Sequence, residues 1–512
     1  MSRTENVKKN VFWVFFDQVI LVILNLIGRK IFLDNLGEEL LGVNSLFSDV
    51  LQLFSFADIG FGAAIFYYLY KPIAENDTEK IKSLLGYYRF IYRFVIFLLI
   101  LVGVVFIPIL PFLRTSLPIR QLLVYYLLFL LNNIISYFFI YREDYLRALQ
   151  LQRKLSIVNA CFSAIQILIQ IAVVIFTKSY VLYVLTNTVI LLVRKLVLNS
   201  YIKNKYKETR LAGAHTLQIS EKKDIFVSAK SIVVHRLGNL AINQTDSLIS
   251  SVFLDVRTWG LVSNYLVLKM AVSRLMDNIY SALLPSIGNL VATETNINQV
   301  KVFKIYDFLN YWFYLFCFVA LGNLSSIFVR LYFGDQYALG ELTVFFLFLA
   351  FYIDGLRAPI SAMRETTGVF RVDQWYTIIA AVINLVVSIV LVRPLGVIGI
   401  YIGTICAMLF LHVTRIFIFM KRREGYNYIS YYADIIMHII MGIFVYVALS
   451  FIGNCISAVV SNPIAYFIIM LICNLLIPNL YMLLVYFCDK RFKEAILLLK
   501  SKNWMRRKER GE

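Results

Sequence analysis

Histidine, cysteine and long polar loops are what this sequence has least of. Its 512 residues include four histidines and six cysteines. The cysteines (Cys161, Cys317, Cys406, Cys455, Cys473 and Cys488) sit in or at the ends of apolar runs, and none forms a Cys-x-x-Cys pair. They read as small buried hydrophobes rather than disulfides or metal ligands. His215, His412 and His438 have no partner at ligand spacing, which favours structural roles over a metal site. No Gly-x-x-x-x-Gly-Lys-Ser/Thr segment occurs, so an ATP-driven pump of the P-loop kind is disfavoured. No cofactor is expected. The first apolar run, Val11 to Leu33, is expected to be the first span rather than a cleavable leader, since it is too long for one, lacks a small-residue cleavage site, and carries Asp17, Asn25 and Arg29.

What is present is hydrophobicity. Apolar residues make up 60% of the chain and the mean hydropathy is +0.74, outside the range of a soluble domain. About fourteen runs are long enough to cross a ~30 Å hydrocarbon core. They cover 11–33, 40–69, 84–110, 119–141, 155–176, 180–200, 225–252, 257–284, 305–329, 340–363, 374–393, 396–420, 432–458 and 463–487. Backbone polar groups in lipid must be satisfied within their own segment, so these runs are helices and the fold is an all-α integral membrane protein. Of 50 Lys and Arg, 34 lie in alternate connectors and the tails, and only six in the opposite connectors. The positive-inside rule then places both termini in the cytoplasm and gives an even number of spans. The net charge of +19 might suggest nucleic acid, but its placement in short juxtamembrane segments matches a phospholipid surface instead. The opposite loops are tiny, Asp34 to Glu39 being the first, which leaves no room outside for a catalytic domain.

The basic connector 201–224 separates spans 1–6 (residues 1–200) from spans 7–12 (225–420). Two further spans (432–487) and a basic tail (488–512), read as an amphipathic helix on the inner leaflet, follow. Sliding the chain by 218 residues places Asn25 on Asn243, Leu36 on Leu254, Gly42 on Gly260 and Ser45 on Ser263. Six spans separate the two windows, so the repeat is parallel, giving two pseudo-symmetric six-helix lobes about an axis along the membrane normal. Gly42 and Gly260 are expected to permit close helix approach.

Polar residues concentrate in the first two spans of each half. The first carries Gln18, Asn25 and Arg29 on one stripe; the second carries Asn44, Ser48 and Gln52, with Asp49 beside them. The seventh presents Arg236, Asn239, Asn243 and Asp246 on one face, and the eighth carries Asn264, Lys269, Arg274 and Asp277. A charge at the bilayer centre costs roughly 2.5–3.5 kcal/mol, so it normally faces a cavity or a partner. Two readings stand: a lumen with net positive character suited to an anionic cargo, or packing salt bridges such as Arg236 with Asp246 and Arg274 with Asp277. The whole cluster favours a lumen. Asp354-Gly355-Leu356-Arg357 reads as a kink and an interfacial anchor.

Several segments carry a family resemblance. They are residues 36–85, ending LYKPIAENDTEKIKSLL, SAKSIVVHRLGNLAINQTDSLISS at 228–251, WGLVSNY at 259–265, SIGNLVA at 286–292 and RPLGVIGIYIGT at 393–404. The chain resembles the polysaccharide-transporter family, the Wzx-type flippases of lipid-linked oligosaccharides, within the multidrug/oligosaccharidyl-lipid/polysaccharide exporter superfamily. The resemblance implies two six-helix lobes, alternating access, and a cargo of undecaprenyl-diphosphate-linked repeat units for O-antigen, capsule or exopolysaccharide. It implies the bacterial cytoplasmic membrane, a polymerase and a chain-length regulator as partners, and leaves a coupling ion, proton or sodium, open. A cationic lumen is common in the family and matches Arg29, Arg236 and Lys269 in kind. A peptidoglycan-precursor flippase or a drug exporter are the nearest rivals. A membrane glycosyltransferase or polymerase would need an acidic motif or a large outer loop.

Overall fold

The computed structural model describes residues 3–54, 68–149, 151–209, 217–293, 295–367, 370–420, 428–487 and 493. Fifteen α-helices are assigned among them: α1 (Arg3–Phe54), α2 (Thr78–Phe106), α3 (Ile119–Ser136), α4 (Ile140–Ala148), α5 (Gln152–Thr177), α6 (Tyr180–Lys205), α7 (Ile219–Phe253), α8 (Val256–Thr293), α9 (Asn296–Tyr332), α10 (Glu341–Leu356), α11 (Ala358–Thr367), α12 (Phe370–Leu395), α13 (Val397–Met420), α14 (Tyr428–Val459) and α15 (Pro463–Tyr486). No strand occurs among the described residues. The tail expected to lie on the inner leaflet falls almost wholly outside them.

Local chemistry sets the helix ends. The Asp77 carboxylate caps α2 through the Lys80 amide at 2.9 Å, and Asn462 caps α15 through the amides of Ile464 and Ala465. Gln218 and Glu221 form a capping box on α7. The expected loop after the first span is helical instead. Asn35 bonds back to the Ile31 carbonyl at 2.8 Å, Lys30 pairs with Asp34 at 3.4 Å, and α1 breaks only at Gly37, whose φ of 82° suits glycine.

Among the described residues, ten helical segments are long and apolar enough to cross a membrane. They include Thr78–Phe112, Gln152–Thr177 and Glu341–Arg364. α7 and α8 are not among them, and the polar stripes they carry lower their hydropathy. Burial sorts the ten: 72% of the most apolar window of Glu341–Arg364 is buried, against 11% for Gln152–Thr177. The first is an internal helix of its unit. The second turns an apolar face outward, the arrangement a lipid solvent demands.

The chain divides into two compact units, residues 1–260 and 261–512. In the first, α1 packs on α5 and α7, and α6 on α3 and α5. Gly28 of α1 meets Ile167 and Ile171 of α5, and Phe47 packs edge-on to Tyr126 and Phe129. In the second, α12 and α13 form the tightest pair, while α9 packs on α10, α14 and α15. Its core gathers Phe303, Ile360, Met363, Ile416 and Tyr431.

Candidate functional site

In the first unit the polar residues of α1 fall into two groups. Asn25 donates to the Leu21 carbonyl at 2.7 Å, satisfying itself within its helix. Arg29 lies in electrostatic reach of the Tyr183 hydroxyl on α6. Asp49 accepts the Trp259 indole N–H at 3.1 Å and lies within electrostatic reach of the Ser247 hydroxyl, so its carboxylate ties α1 to the start of α8 and stands beside α7. Asp246, next to Ser247, is buried.

Turns of this unit near residues 38–42 and 256–260 form a crossing. A Cβ on Gly42 would stand 2.0 Å from the Val256 carbonyl oxygen, and one on Gly260 would stand 2.3 Å from the Glu38 carbonyl oxygen and 3.0 Å from the Gly42 nitrogen. The close approach expected of the two glycines is therefore made against each other. Around it, Arg257 pairs with Glu38 at 2.6 Å, and the Arg114 segment exchanges backbone hydrogen bonds with Ser251 and Val256, each 3.0 Å. Glu39 accepts from the Thr115 and Ser116 hydroxyls and the Ser116 amide. Burial works to raise its carboxyl, but those donors, with Arg257, outweigh burial and hold it below the ordinary glutamate range.

In the second unit, Asn264 is buried, while Arg274, Asp277 and Asn278 are exposed along one face of α8. Arg274 and Asp277 do not pair with each other, which removes one of the two packing bridges the sequence allows. A charged helix face of this kind is costly against lipid. Lys269 and Asp277 both lie in electrostatic reach of Asp354 on α10. Asp354 is also ion-paired with Arg357 and neighbours Arg415 of α13. The carboxylate side chain keeps 38% of its exposure within this cluster.

The Asp354–Arg357 segment is thus more than a kink. The helix does break there, between α10 and α11, and Asn310 donates to the Gly355 carbonyl at 3.0 Å. Arg357, expected as an interfacial anchor, is instead only 8% exposed, because a guanidinium with a carboxylate partner can be buried where a lone one cannot. His412 and Arg415 are buried on α13 beside it. His438 stacks on Tyr311 at 3.7 Å, and Tyr352 donates to its carbonyl at 2.8 Å. Sequence reasoning missed Asp354 and Arg415 as members of a charged cluster. The one signal for Arg415 was a lone arginine inside the apolar run 396–420.

The side chains of Gln18, Arg236, Asn239 and Asn243 lie outside the described part of the structure, as does His215. Among the described residues no group of three or more His, Cys, Asp or Glu could hold a metal ion.

The ten helices among the described residues that are long and apolar enough to cross a membrane define a multi-pass membrane protein. The chain belongs to the polysaccharide biosynthesis protein family, whose model matches residues 7–291. Solved structures share the fold. The lipid II flippase MurJ, in an inward closed conformation, is 16% identical with a TM-score of 0.63, covering 93% of this chain and 99% of its own. A multidrug resistance MATE family transporter of the MOP superfamily, inward-facing, is 12% identical with a TM-score of 0.55, covering 77% and 92%. A MOP superfamily transporter from Pyrococcus furiosus is 16% identical with a TM-score of 0.50, covering 78% and 94%. No curated protein matches the sequence. These three neighbours are a flippase and two transporters.

Proposed function

We propose that this protein is a flippase for undecaprenyl-diphosphate-linked oligosaccharides in the bacterial cytoplasmic membrane. It works by alternating access across fourteen spans arranged as two six-helix lobes plus two helices, with both termini cytoplasmic. The observation that carries the reading is the wet charged face of α8 together with Lys269 beside Asp354. In the resting state Asp354 balances Lys269 and Arg357. An arriving diphosphate exchanges for that carboxylate instead of stripping water from bare cations. Such exchange keeps binding strong enough to capture and weak enough to release. Arg29 and Arg236 extend the cationic character along α1 and α7. The lipid tail need not enter the polar space.

The test is complementation of a strain lacking its oligosaccharide flippase, with protein quantified in parallel. Arg236→Ala and Lys269→Ala are expected to accumulate normally yet fail to export repeat units, whereas Arg29→Ala is milder. Full complementation by the double alanine variant would refute the cationic mechanism. A second reading, export of a peptidoglycan precursor, draws on the shared fold with a lipid II flippase. Rescue of a strain depleted of that activity, without rescue of polysaccharide export, would favour it.

A further inference from the structure

A cavity of about 430 Å³ lies in the second unit, apart from the charged cluster. Its walls come from α9, α10, α14 and α15, and Asn323, Ser326, Tyr446, Asn454 and Tyr466 line it. Two glycines at the helix contacts keep the walls close: a Cβ at Gly322 would stand 2.5 Å from the Tyr446 ring, and one at Gly453 would stand 2.9 Å from the Met470 methyl. Arg330, Asp335 and Glu341 also belong to its lining and are exposed. No ion pair joins these three charges to one another. On the topology proposed above, the turns at 333–340 and 460–462 put this end of the unit outside.

The lining chooses a ligand class. Asn323 gives its Nδ2 to the Val319 carbonyl at 2.9 Å and Ser326 meets the Tyr265 hydroxyl, so an apolar ligand would chiefly waste the exposed Asn454 amide and the free oxygen of Asn323. A simple anion would meet Asp335 and Glu341, and a simple cation would meet Arg330. A neutral polyhydroxyl compound offers donors and acceptors to all of them, and its C–H face can lie on the half-exposed Tyr466 ring. The volume falls near the low end of the roughly 300–1,000 Å³ typical of small-ligand pockets, room for one or two sugar rings.

We infer that this cavity is a saccharide site on the outer face of the second unit, receiving sugars of the glycan as it leaves. It rests on the flippase reading for its biological role. The Asn454 amide and the Asn323 carbonyl oxygen meet adjacent hydroxyls from facing helices, Glu341 accepts from the ring entering the mouth, and Tyr466 supplies the stacking surface.

Saturation-transfer NMR on the purified full chain in lipid nanodiscs tests it, with glucose, galactose, N-acetylglucosamine and lactose as probes and spermidine as the cationic control. At least one sugar is expected to receive saturation at millimolar concentration. Asn454→Leu should weaken it tenfold or more, and Glu341→Gln, on the exposed rim, about threefold. If Asn454→Leu does not fold, Glu341→Gln decides. No transfer to any sugar, transfer to spermidine alone, or identical binding by both variants would overturn the site. The same preparation's wild-type gene is run through the complementation assay. Export without sugar binding sinks this site and leaves the flippase reading standing, whereas sugar binding without export does the reverse.

Discussion

Each compact unit buries a knot of charge, and the two are built differently. In the first unit the short helix α4 sinks Arg142, Glu143, Asp144 and Tyr145 out of water. Lys195 of α6 meets Glu143 at 2.6 Å, with side chains only 3% and 7% exposed. Asp144 accepts from Tyr88 and pairs with Arg147 at 3.2 Å. Arg142 donates to Asn199 and to the Thr209 carbonyl, while Tyr145 donates to Glu208 at 2.7 Å. In the second unit Asp354 remains reachable by water and draws Arg357, Lys269 and Arg415 around one carboxylate. A dry one-to-one pair locks helices together. A wet carboxylate among several cations leaves charge that an incoming anion can use. Burial of an ion pair is thus a poor guide to function unless its access to water is also known.

The sharpest way to break this contrast is to open the first knot. Glu143→Ala strands Lys195 in a dry site and is expected to cost about 3–5 kcal/mol, seen as a lower apparent Tm and lower protein level after solubilisation. Exchanging the partners, Glu143→Lys with Lys195→Glu, should recover most of the loss. Lys269→Ala, which removes one cation near Asp354 and leaves Arg357 its carboxylate partner, should leave protein level nearly unchanged while altering export. Normal stability of Glu143→Ala would erase the distinction between the knots.

A smaller effect is expected at the Gly42–Gly260 crossing of the first unit. Gly42→Ala aims a methyl at the Val256 backbone oxygen, which cannot swing aside as a side chain would, so roughly 1–3 kcal/mol of overpacking follows. Gly340→Ala, with nothing within 4 Å of the new Cβ, is the control and should be neutral in the same melting measurement.

The smallest effect is a pH dependence at Glu39. Its folded-state pKa lies below the unfolded value, so its contribution is present above the unfolded pKa and fades as pH falls through the folded one. With an unperturbed glutamate near about 4.3, the fading occurs below about pH 4. Partial exposure keeps it under about 1 kcal/mol. Glu39→Gln should lower stability at neutral pH and flatten the acid limb of a Tm-against-pH curve; an unchanged limb would show that the Ser116 and Thr115 contacts are not held in solution.

Much of the fold was legible before any coordinates. Apolar length marked helices long enough to cross a membrane, and Gly42 and Gly260 were expected at close helix approaches, but that they meet each other came from the structure. The candidate residues were legible only as faces. Periodicity says that Lys269 and Arg274 lie on a polar helix, but not that Asp354, 85 residues beyond Lys269, stands opposite. The sorting of basic residues by side counted Arg142 and Lys195 as connector charges facing the cytoplasm. The structure buries both, because α4 supplies acids and amides that a count of Lys and Arg cannot see.

The sequence by itself determined that this is a helical membrane protein, where its apolar helices run, and that its ionisable residues gather on a few of them. Those are properties of single helices, set by hydropathy and the 3.6-residue period, and lipid enforces them one segment at a time. Tertiary structure alone decided which charges are locked in dry pairs, which stay wet, and where α9, α10, α14 and α15 leave a polar cavity. Pairing and access depend on which helix faces which, through contacts between residues far apart in the chain that local pattern does not encode.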